Sequence, residues 1–390
     1  MKKLTIFTIL TLFLSNSFLS AQISENYKRF VKGNLQDKIL SVRESSATEV
    51  EKLSLVAINF CLENKEILKN DRDLDALCIA SVLSVPQKYI ENLSLTGKTN
   101  FSDEMLKIFN SFENENVKIA VLTKISQNNI PNDKILNDLN SLISKNESLS
   151  YSQNFLKSVI STLGIIGNSE TFKILYQNYK KTEWKNLQPE LKTSIVNLCE
   201  SSDSEISNII SAGSLEDFKF IFENIVKNEQ KSQIFRSQIA ETLLQAAIYI
   251  VEANSSLTDD LVSLQVDLIV FLAQNRWTRG VKTILNFYNV AKKEFNDEKM
   301  SSEDFGNVIT SVSKTAPIES VSIFSDYLIE LNKQKEKGLK VSEEIVLALI
   351  SALGEIGDKN AFDSLLSVTY YNYSDTVINK ARSALASLKW

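Results

Sequence analysis

LGEIGDKNAF at residues 353–362 and LGIIGNSETF at residues 163–172 decide the fold. Each follows an apolar frame at helical spacing. Val346, Leu349, Ile350 and Leu353 precede one, and Leu156, Val159, Ile160 and Leu163 precede the other. Residues at i, i+3, i+4 and i+7 share one face of a helix. Each string then supplies a helix end. Gly357 and Gly167 suit a left-handed cap, where a side chain would clash. Asp358 and Asn168 are residue types that cap the next helix by accepting a backbone N–H. Gly354 and Gly164, one turn earlier, leave room for a neighbouring helix. Phe362, Leu365 and Leu366, or Phe172, Leu175 and Tyr176, then begin a second apolar face. The unit reads helix, tight turn, helix.

The same frame recurs outward from these strings. It is met at Phe305, Val308, Ile309 and Val312, and at Leu268, Ile269 and Leu272. It is met again at Leu191, Ile195 and Leu198, and at Ala76, Ile79, Ala80 and Leu83. The closing residues give the period: Leu83 to Leu122 is 39, Leu122 to Leu163 is 41, Leu272 to Val312 is 40 and Val312 to Leu353 is 41. A fixed period of this length marks a repeat array. Glu115 and Lys118 interrupt the frame closing at Leu122, where Val117, Ala120 and Val121 offer another face. Between Leu198 and Leu272 two frames compete: Phe218, Ile221, Phe222 and Ile225, and Ile239, Ala240 and Leu243. The register there stays open.

Composition agrees. The 390 residues include only 10 Gly and 4 Pro, too few turn formers for a sheet protein. A single core stops growing at roughly 250–300 residues, so a chain this long divides or extends. The expectation is an all-α stack of about eight to nine helix pairs, each of roughly 40 residues. It occupies residues 71–390, behind a helical N-terminal cap region at 22–70.

The strings Leu163 to Asn168 and Leu353 to Asp358 resemble the inter-helix turn of HEAT and HEAT-like (armadillo-type) repeats. Val377, Ala381, Ala384 and Leu385 resemble the opening helix of one more such repeat. The unit at Lys314 and Pro317 departs from the pattern, keeping a helix breaker without the glycines. The resemblance runs over about residues 70–390. It implies a right-handed α-α superhelix whose second helices line a concave side and whose ligand is another protein.

The N-terminus reads as an export signal. Lys2 and Lys3 precede the apolar run Leu4 to Leu14, and Leu19-Ser20-Ala21 ends in a small residue. The run is too short to span a bilayer and fits a signal at 1–21 cleaved after Ala21. The expected location is the periplasm or outside the cell, in a bacterial envelope. No later apolar stretch reaches membrane length. The net charge is −5, and loss of the two lysines makes it more acidic. A nucleic-acid binder normally carries a basic domain or stripe. The chain has no His, which excludes Ser-His-Asp and Cys-His sites. No Cys-x-x-Cys or calcium-loop spacing is present, and helices rather than strands precede the glycine pairs, unlike a dinucleotide loop. No catalytic, cofactor or metal residue is expected. The acidic pairs Asp259-Asp260, Glu303-Asp304 and Glu343-Glu344 follow Thr258, Ser302 and Ser342, and read as helix starts.

Two features remain. Cys61 and Cys78 sit on apolar helix faces 17 residues apart, and with Cys199 they are either small core residues or, for the first two, a disulfide that an oxidising compartment permits. Arg276, Trp277, Arg279 and Lys282 cluster in a short turn. Trp and Arg are interface-anchoring types, although aromatics in such groups also fill cores while the cations are solvated. If this is the interface, Trp277→Ala and Arg279→Ala weaken partner capture without unfolding. The expected function is an exported, non-catalytic scaffold binding another protein, either as a monomer or within a hetero-complex. The alternative is a structural component of a bacterial envelope or appendage assembly.

Overall fold

The computed structural model describes residues 24–87, 101–128, 133–145, 150–254 and 258–389. The expected signal at 1–21 lies outside them. The described residues are helical, with no strand and one isolated backbone bridge between Asp358 and Lys389. No helix among them is long and apolar enough to cross a membrane. The chain divides into two compact units at Ser201/Ser202.

The first unit holds α1 (Glu25–Lys32), α2 (Leu35–Arg43), α3 (Val50–Asn64), α4 (Arg72–Ser84), α5 (Phe101–Ser111), α6 (Glu115–Asn128), α7 (Asp133–Ser144), α8 (Gln153–Ile166), α9 (Ser169–Tyr179) and α10 (Gln188–Leu198). Helices α2, α4, α6, α8 and α10 pack side by side in one file. Each is backed by the helix before it, as α3 backs α4 and α9 backs α10. The second unit repeats this plan with α11 (Asp203–Ala212), α12 (Leu215–Ile221, continued by a π-turn at Phe222–Val226), α13 (Gln233–Asn254), α14 (Asp259–Gln274), α15 (Val281–Asn296), α16 (Ser302–Thr315), α17 (Pro317–Glu336), α18 (Glu343–Ile356), α19 (Phe362–Val368) and α20 (Asp375–Ala386). Its file is α14, α16, α18 and α20, backed by α13, α15, α17 and α19.

The two files hold nine helices, each backed by the helix before it, within the eight to nine pairs expected; α11 and α12 stand in neither file. The step between filed helices averages below 40, falling to 35 between Gln153 and Gln188 and to 32 between Glu343 and Asp375. Across 70/71, α2 packs along α4 as α4 does along α6.

The apolar frames are the core. Leu156, Val159, Ile160 and Leu163, and Phe305, Val308, Ile309 and Val312, are all buried, as are both frames of the open stretch. One frame is out of phase. Leu83 is 45% exposed, and Leu74, Leu77, Cys78 and Val82 form the buried face of α4 instead. That helix is apolar nearly all round, so periodicity could not fix its rotation.

The glycine turns join pairs rather than the two members of a pair. Helix α9, which comes after Gly167, packs chiefly on α10 and not on α8. The first glycine of each string does admit a neighbour. A Cβ on Gly164 would come within 2.5 Å of Ser194 Oγ and 2.8 Å of its Cα, and one on Gly354 within 2.9 Å of the Ala384 Cβ. Ser194 and Ala384 lie on the next filed helix, each thirty residues on. Ser194 Oγ donates to Ile160 O at 2.9 Å, closing the contact. Gly164→Ala should cost about 1–3 kcal/mol through overpacking, and Ser194→Gly should partly restore it; urea denaturation of both variants measures this.

The second glycines differ from each other. Gly357 is left-handed, with φ +71, as expected. Gly167 is extended, at φ −71 and ψ 171. It is required for space: a Cβ there would sit 2.3 Å from Leu163 O. Asn168 caps α9 by accepting from Thr171 N, and Asp358 accepts from Asn360 N.

Polar side chains lock the register one repeat at a time. Lys124 Nζ donates to Leu83 O across 41 residues, Ser126 meets Thr162 across 36, and Ser364 bonds Ser325 across 39. Buried polar groups need such partners. Each of these partners lies on the adjacent pair.

Candidate interaction surface

The Arg276 to Lys282 turn is built by the end of α14. Arg276 is left-handed at φ 49. Its N–H donates to Ala273 O at 3.1 Å, and the Trp277 N–H donates to Leu272 O at 3.0 Å. This is the Schellman pattern, which normally favours glycine at the left-handed position. It turns Trp277 back onto the core.

Trp277 is thus not a surface anchor. Its side chain is 8% exposed, and its Nε1–H donates to Glu241 Oε2 at 2.7 Å. Thr283 Oγ1 donates to Glu241 Oε1 at 3.0 Å, and Gln245 Nε2 donates to Thr283 Oγ1 at 2.8 Å. Glu241 of α13 therefore ties down both ends of the turn. Gly280 completes the fit, because a Cβ there would stand 2.9 Å from the Glu241 carboxyl carbon. Sequence reading missed Glu241, Thr283 and Gly280. The available signal was a carboxylate one place off the Ile239, Ala240, Leu243 face, together with one of only ten glycines.

The cations are what this knot displays. Arg276, Arg279 and Lys282 are exposed, with the Arg279 guanidinium 5.6 Å from the Trp277 ring centre. Beside them lies a cleft of about 410 Å³ whose lining includes Phe222, Phe271, the cations Lys227 and Arg236 and the acids Glu229 and Asp267. Arg236 stacks 5.5 Å from the Phe271 ring centre and donates through one terminal nitrogen to Val226 O at 3.3 Å. Its Nε is buried without a partner. Burial raises the Asp267 carboxyl above its ordinary range. Gln233 Nε2 donates to Asn275 O at 3.1 Å, joining this cleft to the Arg276 turn. A second groove, of about 390 Å³, lies where the turn at Pro317 and Ile318 meets Ile356, Gly357, Asp358 and Lys389. Ile318 in its wall is 83% exposed.

The other sequence-predicted features are structural. Cys61, Cys78 and Cys199 are buried thiols. Thr258 caps α14 by accepting from Leu261 N. Ser301, not Ser302, caps α16, accepting from Asp304 N at 3.0 Å. Among the described residues no group of acidic or cysteine side chains could hold a metal ion. One buried acid stands apart. Glu294 on α15 is 3% exposed, and neither carboxyl oxygen has a partner. Burial, opposed weakly by Lys299, raises it from 4.5 to about 7.

Comparison with protein-family models, with curated proteins and with solved structures finds no match to this chain.

Proposed function

We propose that this chain is an exported, non-catalytic binding scaffold of the HEAT-like kind, and that the second unit engages an acidic segment of another protein at the Arg276 turn. The observation that carries this reading is the Glu241 knot. A buried tryptophan, a carboxylate and a threonine hold a turn whose outward side chains include three cations. Holding a charged loop rigid reduces the entropy lost on binding, and exposed cations beside an aromatic-walled cleft suit a carboxylate-rich ligand. An indole buried to fix a loop explains why aromatic and basic residues coincide there without the aromatic itself touching a partner.

The test separates charge from stability. Arg276→Gly relieves the left-handed strain and should stabilise the fold by about 1 kcal/mol. Lys282→Glu is a surface change worth less than about 0.5 kcal/mol. A photo-crosslinker at Arg279, introduced in the native cell, should capture one polypeptide. The Arg276→Gly/Lys282→Glu background should lower that yield by about tenfold while the melting midpoint holds. An unchanged yield means the Arg276 turn is not the docking surface.

A further inference from the structure

We propose that Cys61 and Cys78 close to a disulfide as the chain folds under oxidising conditions, and that once the pair is folded and reduced it is shut against later oxidation. The two residues lie on α3 and α4, which back one another in the first unit. Both are wholly buried. Cys61 Sγ donates to Leu74 O at 4.0 Å, the carbonyl one helical turn before Cys78 on α4. A sulfur seated against the turn of the facing helix that carries its partner meets the first geometric condition for a bridge, which fails when the backbones stand too far apart.

The second half follows from reactivity. The thiolate is the nucleophile in disulfide exchange. The neighbouring Cys78 thiol and burial both push the Cys61 thiol far up, and no oxidant reaches a fully buried sulfur. The bridge must then form while α3 and α4 are still open to solvent. With oxidised glutathione the balance is simple. One cysteine thiolate attacks a glutathione sulfur, displacing one glutathione thiolate and leaving a mixed disulfide. The other cysteine thiolate attacks that cysteine sulfur and displaces the second glutathione. The two cysteines lose two electrons, the glutathione disulfide gains them, and the two thiol protons pass to the departing thiolates. The finished protein then records the redox state in which it folded.

The full chain is refolded from urea in a mixture of oxidised and reduced glutathione, then tagged with a maleimide in urea without reductant. One adduct is expected, with the peptides carrying Cys61 and Cys78 linked, and none in a Cys199→Ala variant. Three adducts, or a link through Cys199, overturn the bridge. The bridged form should melt about 5–10 °C above the reduced form; equal midpoints would show that the bridge does not hold the first unit. In a second arm, reduced folded protein and reduced protein in urea meet oxidised glutathione alone. Closure is expected to be at least about a hundredfold slower in the folded protein. Equal rates overturn the claim that folding shuts the pair.

Discussion

Trp277→Ala should destabilise the second unit by about 3–5 kcal/mol, the range for removing a buried aromatic side chain, and lower the melting midpoint by about 10 °C. Two losses combine. The indole leaves a cavity beneath the α14 terminus, since only 8% of it reaches solvent. The Glu241 carboxylate also loses its 2.7 Å donor, and a hydrogen bond to a charged group is worth about 1.5–3 kcal/mol. Trp277→Phe separates them. It keeps most of the packing and loses the N–H, so it should cost about 1.5–3 kcal/mol. Calorimetry on the three proteins checks this. If Trp277→Ala melts with the parent, the indole is not the anchor of the turn and the Arg276 display has no rigid base.

Glu294→Gln should stabilise the protein at pH 8 and leave it nearly unchanged at pH 4.5. The Glu294 carboxyl rises from 4.5 to about 7 in the folded state. Between those values the folded chain holds a proton that the unfolded chain has released. Stability then falls as pH rises through this window, and the loss is complete above about pH 7. A shift of this size corresponds to a penalty on the order of 3 kcal/mol at pH 8. Glutamine removes the charge and keeps the shape. Its melting midpoint should exceed the parent's by about 5–10 °C at pH 8, with the two curves converging toward pH 4.5. Other carboxyls do not confound the comparison. Glu49, lowered to about 2 by hydrogen bonds from Ser46, Ser24 and Asn26, destabilises the fold only on acidification, below the window, and does so equally in both proteins. Parallel curves across the whole range would mean that water or a cation reaches the Glu294 carboxylate.

The buried glutamate and the tryptophan knot show where sequence reading stops. Glu294 lies three residues after Ala291 on the same helix face, but a lone acid at such a place most often points outward. Trp277 between two arginines has the composition of an interface, and only the left-handed Arg276 sends it inward. Gly167 and Gly357 occupy matching places in matching strings, yet one is extended and the other left-handed. A contact distant in sequence distinguishes them. Gly357 O accepts from the Lys389 N–H at 2.8 Å, and that donor stands 32 residues further along the chain. Leu83, in a frame that counted toward the period, faces solvent because α4 offers apolar residues on more than one face.

Local spacing was enough to establish that the chain is helical, that its helices stack in pairs and, α4 apart, which of the quoted apolar frames lie in the core. Those properties depend on residues within a turn or two of each other, and apolar burial is indifferent to which partner supplies the surface. Only the tertiary structure decided which helices back each other, that α2 packs along α4 and that Glu241 holds Trp277. Each of those depends on a polar or steric match with a residue about one repeat away. Hydrogen bonds and close contacts are directional, so such matches cannot be read until the neighbouring pair is in place.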